Sequence, residues 1–200
     1  MSDLFNEKAK DWDVNEMVLQ LSTSISSAIL KSIQVNNEMQ VMDFGAGTGL
    51  ITSRISPHVK HVVAVDISEA MLKELSSKSE LKNNVEVVCQ NIIEQPLDRR
   101  FDLIMSAMAM HHVKDTDLLF QRFAEHLKPG AKVAVADLDL EDGSFHPADI
   151  EGVYHDGFDR NQLKNVMKKQ GFEDIKFVTA LTVDKEVKSY PVFLVTATKK

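Results

Sequence analysis

The sequence predicts an α/β domain with a mostly parallel sheet, because short apolar runs alternate with helical patterns across residues 39–171. The middle runs are nearly continuous in apolar residues, which is typical of strands buried on both faces. Only the loop 183–189 separates the last two runs, so these two strands are expected to be antiparallel, since a parallel crossover needs a dozen or more residues. The predicted strands are residues 39–44, 61–66, 85–89, 101–105, 132–136, 175–179 and 192–196.

The first helical pattern covers residues 14–33 and carries one apolar stripe along its length. Asp13 and Glu16 have the spacing of a capping box at the start of this helix. We expect residues 1–35 to form an N-terminal helical cap on a core of residues 36–200, within a single domain of 200 residues.

Three later helices are expected to begin at side chains that cap a helix N-terminus. These predicted N-caps are Ser68, Asp115 and Asp159. The Pro-Gly pair at 129–130 is expected to stop the second of these helices. Gly171 follows the third helix, in the position where a C′ glycine ends a helix.

The composition excludes several classes of function. The chain has 23 Lys and Arg against 30 Asp and Glu, a net charge of −7, so nucleic-acid and anionic-membrane partners are not expected. It has no apolar leader and no apolar run near 18 residues, which predicts a cytoplasmic protein without a membrane span. The single cysteine, Cys89, lies in an apolar run and is expected to be an inert core residue.

The most informative segment is the glycine-rich turn at residues 43–49, which follows a predicted strand and opens a helix. Glycines let the chain turn tightly and let a ligand approach the backbone, and ligands bind at the carboxyl ends of strands in such sheets. Asp66 ends the next strand, where a carboxylate can accept hydrogen bonds from two ribose hydroxyls. Asp43, at the start of the turn, is a poor neighbour for a pyrophosphate but a good one for an ammonium group.

A nicotinamide-dinucleotide site is the disfavoured reading of this turn. Its fingerprint requires a small third residue for packing of the helix. Leu50 occupies that position, and the third glycine comes one residue early, at Gly49. A nicotinamide-dependent oxidoreductase is therefore kept only as a weaker alternative.

Four motifs, in order along the chain, resemble the class I S-adenosylmethionine-dependent methyltransferases over about residues 5–180. The motifs are Asp-Phe-Gly-Ala-Gly-Thr-Gly at 43–49, Val-Val-Ala-Val-Asp-Ile-Ser at 62–68, Phe-Asp-Leu-Ile at 101–104 and Leu-Lys-Pro-Gly-Ala at 127–131. The opening residues 4–13 look like the leader of small-molecule methyltransferases, including the quinone-biosynthesis C-methyltransferase group. The resemblance implies a Rossmann-like, doubly wound, seven-stranded sheet with an antiparallel last strand, an N-terminal helical lid, and S-adenosylmethionine as cofactor.

The resemblance also implies which residues bind the cofactor. Asp43 would orient the ammonium group, and Asp66 would bind the ribose hydroxyls with Ile67 against the adenine. Asn91 stands where the family often has an aspartate that binds the adenine amino group, and Ile92 would pack against the ring. The remaining implied contacts are Gly45, Ala46, Gly47 and Gly49 around the methionine part and ribose, and the carbonyls of Ser106 and Ala107 at the ammonium.

Histidines are the candidate bases, since an acceptor that carries a proton needs one and imidazole titrates near neutrality. His111 and His112 follow the fourth strand and are the candidate catalytic residues, or else they only shape the loop and pack on the cofactor. His146, His155 and Asp156 lie after the fifth strand and could join His111 in a metal site. Their spacing fits no compact metal motif, so no metal is expected.

Two further features have open interpretations. Asp137 and Asp139 end the fifth strand, and solvated carboxylates are favoured over substrate contacts. Trp12 either covers the cofactor or anchors the first helix. The sequence thus predicts methyl transfer from S-adenosylmethionine to a small molecule, with carbon, nitrogen, oxygen and sulfur acceptors and the oligomeric state open. The alternative from another class is a cofactor-binding sensor or partner subunit without transferase activity.

Overall fold

The computed structural model describes residues 5, 8–147, 151–185 and 188–200. Its framework is one seven-stranded sheet with the strand order β3-β2-β1-β4-β5-β7-β6. The strands are β1 (Gln40–Phe44), β2 (His61–Asp66), β3 (Val85–Cys89), β4 (Phe101–Ala107), β5 (Leu127–Leu138), β6 (Phe172–Lys185) and β7 (Lys188–Lys199).

The directions of the strands confirm the predicted fold class. The pairs among β1 to β5 are all parallel, whereas β7 runs antiparallel to both of its neighbours, β5 and β6. The β6–β7 ladder continues to the pair Lys185 and Lys188, so most of the loop predicted at 183–189 is strand. Residues 186–187 of that loop lie outside the described residues.

Helices cover both faces of the sheet, as a doubly wound fold requires. The apolar side chains of α1 and α2 pack on one face, and those of α4 and α5 pack on the other. The α3 helix packs on β2 and β3, on the same face as α2. The helices are α1 (Glu16–Ser32), α2 (Leu50–Ile55), α3 (Glu69–Ser77), α4 (Thr116–His126) and α5 (Arg160–Lys169).

Three of the predicted helix starts are confirmed by hydrogen bonds. The side chains of Ser68, Asp115 and Asp159 accept bonds from backbone N–H groups in the first turns of α3, α4 and α5. The predicted capping box of α1 is wrong, because Asn15 is the N-cap and accepts from the Val18 N–H at 3.2 Å. Asp13 is engaged elsewhere, as described below.

Of the two predicted helix C-termini, one is confirmed and one is wrong. Gly171 has a φ of +85° just after α5 and donates its N–H to the Lys168 carbonyl, which confirms the predicted C′ glycine. The predicted stop of α4 is wrong, since the helix ends at His126 and the Pro-Gly pair at 129–130 lies inside β5. The chain turns directly from helix to strand at Leu127, which is fully buried in the core.

Cys89 is exposed, which corrects the prediction of a buried core residue. The residue ends β3, and β3 is the edge strand of the sheet, so its side chains are only partly covered. The apolar composition of the run indicated a strand but not its place at the edge. Among the described helices, none is long and apolar enough to cross a membrane.

Candidate active site

The glycine turn between β1 and α2 is packed against the protein at two of its glycines. Gly45 has a φ of +68°, and a Cβ atom there would lie 2.3 Å from the Cβ of Ala109. Gly49 has a φ of +82° at the N-cap of α2, where a Cβ atom would lie 2.6 Å from Cγ of Leu75. Any larger residue at these two positions would displace the turn.

Gly47 differs from these two glycines. Its φ is +55°, but an added Cβ atom would meet no described atom within 4 Å, so the turn is open on this side. Its N–H donates to Oδ2 of Asp66 at 2.8 Å, and Oδ1 of Asp66 accepts from the Ser68 N–H at 2.9 Å. The carboxylate that ends β2 is therefore held beside the open side of the glycine turn, as the sequence pattern requires.

Asp43 lies beneath the turn and is almost fully buried, with 1% of its surface exposed. Its Oδ2 accepts from the Thr52 hydroxyl at 2.5 Å. Burial raises the pKa of Asp43 to about 7; the Thr52 bond opposes this rise, and the charge of Asp66 adds to it. A carboxyl with this pKa exchanges its proton near neutral pH.

The three residues assigned to the adenine have different surroundings. Ile67 directly follows Asp66 and is 69% exposed, so it presents free apolar surface beside the turn. The side chain of Asn91 is engaged within its own loop, with Nδ2 donating to Glu94 and Oδ1 accepting from the Ile93 N–H. Ile92 is fully buried in the core, and its contact with the adenine ring stays a prediction.

The end of β4 faces the same edge of the sheet. Ser106 is buried, and within the described part of the chain its hydroxyl has no hydrogen-bond partner. Ala107 is half-buried, and the next residue, Met108, has a φ of +54° and donates its N–H to the Ala136 carbonyl. The chain thus turns sharply after β4 and leads into a 3-10 turn, Met110–His112.

His111 and Asp137 form a buried pair at the carboxyl ends of β4 and β5. Nδ1 of His111 lies 2.8 Å from Oδ1 of Asp137, and the two side chains are 2% and 0% exposed. The carboxylate also accepts from the backbone N–H groups of His111 and Leu138. Donation from Nδ1 leaves the lone pair of Nε2 free, so the geometry suits a general base.

This pair corrects the expectation that Asp137 and Asp139 are solvated. Both oxygens of Asp139 accept from the Arg160 guanidinium at 2.7 Å, in a bidentate pair that joins the end of β5 to the start of α5. Gly157 lies against the same place, since a Cβ atom there would come within 2.1 Å of the Asp139 carbonyl oxygen. The two aspartates therefore organise the end of β5 through different partners, the His111 imidazole and the Arg160 guanidinium.

A segment after β5 folds back over the histidine turn. The Tyr154 N–H donates to the His111 carbonyl at 2.9 Å, and Nδ1 of His112 lies 2.7 Å from the Gly152 carbonyl oxygen. Nε2 of His155 lies 2.9 Å from the Val113 carbonyl oxygen. His112 is half-buried, and burial lowers its pKa.

His146, from the same segment, packs on His111 with a distance of 5.0 Å between ring centroids. Its Nε2 atom is buried and has no partner among the described residues. Burial lowers the pKa of His146 to about 4, and the neighbouring His111, His112 and Lys185 side chains further disfavour a positive charge on it. His146 is therefore neutral at physiological pH.

The N-terminal segment contacts both the glycine turn and the histidine turn. Oδ1 of Asp13 accepts from the Thr48 hydroxyl of the glycine turn at 2.5 Å, and Oδ2 lies 2.6 Å from Nζ of Lys78. Trp12 contacts Phe5 edge-on at 5.9 Å, and Phe5 contacts His112 at 5.3 Å. Residues 4, 6 and 7 of the predicted leader motif lie outside the described residues.

The structure thus brings His111, His112 and His146 together, whereas His155 contacts the Val113 carbonyl. No group of three or more metal-ligating side chains occurs in the described ranges. The bond from Thr52 to Asp43 and the pairing of Asp137 with His111 were not predicted from the sequence. The strand order could have indicated the second, because β4 and β5 are parallel neighbours whose carboxyl ends meet at one edge.

Comparison with known proteins identifies the class. A sequence model described as a methyltransferase domain matches residues 41–130. An uncharacterized methyltransferase of Schizosaccharomyces pombe is 30% identical over 158 residues, which cover 70% of this chain and 55% of that protein. A ubiquinone biosynthesis O-methyltransferase of Coxiella burnetii is 28% identical over 134 residues, 64% of this chain and 57% of that protein. The chain spans about half the length of the curated relatives it matches.

A solved structure extends the likeness to the whole chain. A SAM-dependent methyltransferase of Thermotoga maritima, described as a possible histamine N-methyltransferase, superposes with a TM-score of 0.74 at 21% identity and covers 98% of each chain. Together with the domain match, this confirms the class implied by the four motifs. Residues 41–130 match the methyltransferase-domain family, and the chain has the Rossmann-like fold of class I S-adenosylmethionine-dependent methyltransferases.

Proposed function

We propose that the protein binds S-adenosylmethionine at the glycine turn and transfers its methyl group to a small molecule, with His111 as general base. The observation that carries this proposal is the convergence of the open glycine turn and the His111–Asp137 pair at one edge of the sheet. When bound, the cofactor supplies a methyl group activated on a sulfonium sulfur, and the protein supplies orientation and a water-poor site.

The residues around the turn fit the cofactor. The open side at Gly47 gives room for backbone contact, and Asp66 beside it offers carboxylate oxygens to ribose hydroxyls. Ile67 offers exposed apolar surface for the adenine. Asp43 beneath the turn provides a carboxylate for the ammonium group, whose positive charge would favour the ionised form.

The His111–Asp137 pair supports transfer to an atom that carries a proton. Asp137 fixes the tautomer in which Nδ1 donates, so that Nε2 can take the proton from the acceptor. Ring contact with His112 at 4.2 Å and with His146 at 5.0 Å restricts the orientation of the imidazole. The base is therefore held in place before an acceptor binds.

The names of the relatives do not agree on one acceptor. One relative is named as an O-methyltransferase, and one solved structure is described as a possible N-methyltransferase. The chain covers 57% of the first protein and is 21% identical to the second. The small-molecule acceptor is therefore proposed because the N-terminal segment and the segment after β5 both contact the histidine turn and enclose it. The space available is the part of this edge between the N-terminal segment and the segment after β5.

Calorimetric titration with S-adenosylmethionine and S-adenosylhomocysteine tests the proposal. We expect micromolar binding by the wild type and a loss of at least tenfold in Asp66→Ala. Asp98→Ala is the matched control, since that aspartate is exposed and precedes β4, at the opposite edge of the sheet from the site. Absence of binding at millimolar ligand would contradict the proposal, and tight binding with no methyl acceptor in any cell extract would favour the cofactor-binding sensor instead.

A further inference from the structure

A row of ring contacts crosses the histidine side of the site. Successive rings in the row have centroid distances between 4.2 and 5.3 Å. They come from four separate parts of the chain: the N-terminal segment, the turn after β4, the segment after β5, and β7. In order, this ring row consists of Phe5, His112, His111, His146, Phe145 and Tyr190.

The ring row is a concentration of flat side chains in a chain that has few of them, since Phe, Trp and Tyr make up 6% of the sequence. Phe145 and Tyr190 are buried and serve as the base of the row. Phe5, His112 and His146 keep part of their surface exposed and can contact a ligand. Rings in offset or edge-on contact contribute about 0.5–1.5 kcal/mol per pair beyond the area they bury, so the row favours a planar aromatic ligand.

One polar atom in the row is left without a partner. Nε2 of His146 is buried and lacks a hydrogen bond within the described residues, and a buried unpaired group of this kind costs about 1–3 kcal/mol. A polar group of a ligand would satisfy it. Because the His146 ring lies against that of His111, this second polar group would sit next to the atom whose proton His111 takes.

The charges around the row disfavour a cationic ligand, although aromatic rings can also bind ammonium groups. The Lys185 ammonium already lies 3.8 Å from the centroid of the Phe145 ring. It is also among the groups whose positive charge lowers the pKa of His146. The facing acids already have partners: Asp137 is bonded to His111, and Glu141 lies near Lys185 and accepts from two backbone N–H groups through Oε2. Oε1 of Glu141 is buried and has no hydrogen-bond partner among the described residues, so the Lys185 charge is what balances this carboxylate.

We propose that the methyl acceptor is a planar aromatic compound with a hydroxyl group and an adjacent uncharged polar group, bound along the ring row beside both His111 and His146. This inference rests on the proposed function. The hydroxyl oxygen bonds to the methyl carbon as the carbon–sulfur bond breaks with its electron pair left on sulfur. The hydroxyl proton passes to Nε2 of His111. The products are an aryl methyl ether and S-adenosylhomocysteine.

Three small probes test this class by calorimetry on protein saturated with S-adenosylhomocysteine. Catechol carries two adjacent hydroxyls, phenol carries one, and 2-hydroxybenzylamine replaces one hydroxyl by a cationic arm. We expect catechol to bind about tenfold more tightly than either of the others, because only catechol satisfies His146 without adding positive charge. With S-adenosylmethionine in place of the product, mass spectrometry should detect the monomethyl ether of catechol.

A variant then assigns the preference to one atom. His146→Phe keeps the ring but removes Nε2, so the ratio of catechol to phenol affinity should fall to about one while phenol binding is retained. His155→Phe is the matched control, since His155 comes from the same segment but its Nε2 already contacts the Val113 carbonyl. This control should keep the tenfold ratio.

The outcomes separate the two proposals. Equal binding of catechol and phenol by the wild type, tighter binding of 2-hydroxybenzylamine, or no catechol binding at millimolar concentration would overturn the acceptor class while leaving cofactor binding intact. An unchanged ratio in His146→Phe would overturn the role of His146. Failure of the wild type to bind S-adenosylhomocysteine would instead overturn the proposed function and this inference with it. The three wild-type comparisons need no variant and stand even if His146→Phe fails to fold.

Discussion

The two halves of the candidate active site, one at the glycine turn and one at the histidine turn, are built by different means. At the carboxyl ends of β1 and β2, the backbone makes the site, since glycines at positive φ create an open turn and one carboxylate spans it. At the carboxyl ends of β4 and β5, side chains from four distant segments make the site through ring and hydrogen-bond contacts. The first half depends on residues within one strand–helix–strand unit, from β1 to the end of β2, whereas the second depends on the whole fold.

This difference indicates which positions of the site tolerate substitution. A site made by backbone tolerates few residues at each position, because a Cβ atom at Gly45 or Gly49 would overlap the protein itself. A site made by side chains can exchange its members while the sheet remains intact. Substitutions in the two halves should therefore have separable effects on cofactor binding, on stability and on turnover.

The largest expected effect belongs to the side-chain half. His111→Gln or Asp137→Asn should lower the rate of methyl transfer by about 10²–10⁴-fold, since each removes or misorients the base. The affinity for S-adenosylhomocysteine should stay unchanged, because neither residue borders the glycine turn. The rate is measured with the acceptor that gives the highest turnover.

Asp139→Asn is the control for these variants, because Asp139 also ends β5 but pairs with Arg160. This change should lower the free energy of unfolding but leave the rate of methyl transfer close to that of the wild type. A wild-type rate in Asp137→Asn would contradict the assignment of turnover to the side-chain half, since the His111–Asp137 pair would then have no part in it.

The second effect concerns Asp43 beneath the backbone half. Its pKa rises from 3.8 to about 7 on folding, so the folded state holds the proton more tightly than the unfolded state does. The resulting stability is fully present below about pH 4 and is lost as the pH rises through 7, by about 4 kcal/mol in total. Urea unfolding of the wild type and of Asp43→Asn, from pH 4 to pH 8, measures the difference between the two curves. A difference that does not vary with pH would show that Asp43 is ionised in the folded protein.

A smaller effect separates packing from ligand contact within the glycine turn. Gly45→Ala should lower the free energy of unfolding by about 3 kcal/mol, because it combines overlap with Ala109 and strain at positive φ. Gly47→Ala should lower it by only about 1–2 kcal/mol, from strain alone, but should weaken cofactor binding. Gly130→Ala, at a φ of +76° with open space, is the control with equal strain and unchanged binding. Equal loss of stability at Gly45 and Gly47 would contradict the overlap.

The smallest effect lies at the junction of the N-terminal segment and the turn. Asp13→Asn and Thr48→Val, combined in a double-mutant cycle, should give a coupling free energy of about 0.5–1.5 kcal/mol, from a single hydrogen bond. Asp142→Asn tests a fully exposed pair with Lys188 and should change stability by less than this. A coupling of zero would mean that the N-terminal segment is not held to the glycine turn in solution.

The sequence predicted those features that depend on near neighbours. Ser68, Asp115 and Asp159 cap helices through bonds to residues two or three positions away, so their patterns could be read directly. Asp13 and Glu16 had the same kind of spacing, but Asp13 binds Thr48 and Lys78 instead, which are 35 and 65 residues away in the chain. Tertiary partners outcompeted the local pattern at that position.

The sequence did not predict features that depend on position in the sheet. The run that ends at Cys89 resembled the buried strands, and only the strand order places it at an edge. The partners of Asp137 and Asp139 likewise come from residues 26 and 21 positions away. The backbone half of the site was therefore predictable from the motif, while the ring row required the fold.

The segment that supplies His146 to the site has its two ends joined. Asp139 and Phe158 form a bridge, Leu140 donates to the Phe158 carbonyl, and the Asp139–Arg160 pair closes the base. Lengthening a loop whose ends are already held together costs little, about 0.6 kcal/mol for each doubling. Residues 140–157 can thus be exchanged as a unit while the sheet and the glycine turn are inherited unchanged. Such an arrangement lets evolution, or an engineer grafting loops, alter the residues that would face the proposed acceptor while the cost of closing the loop stays nearly constant.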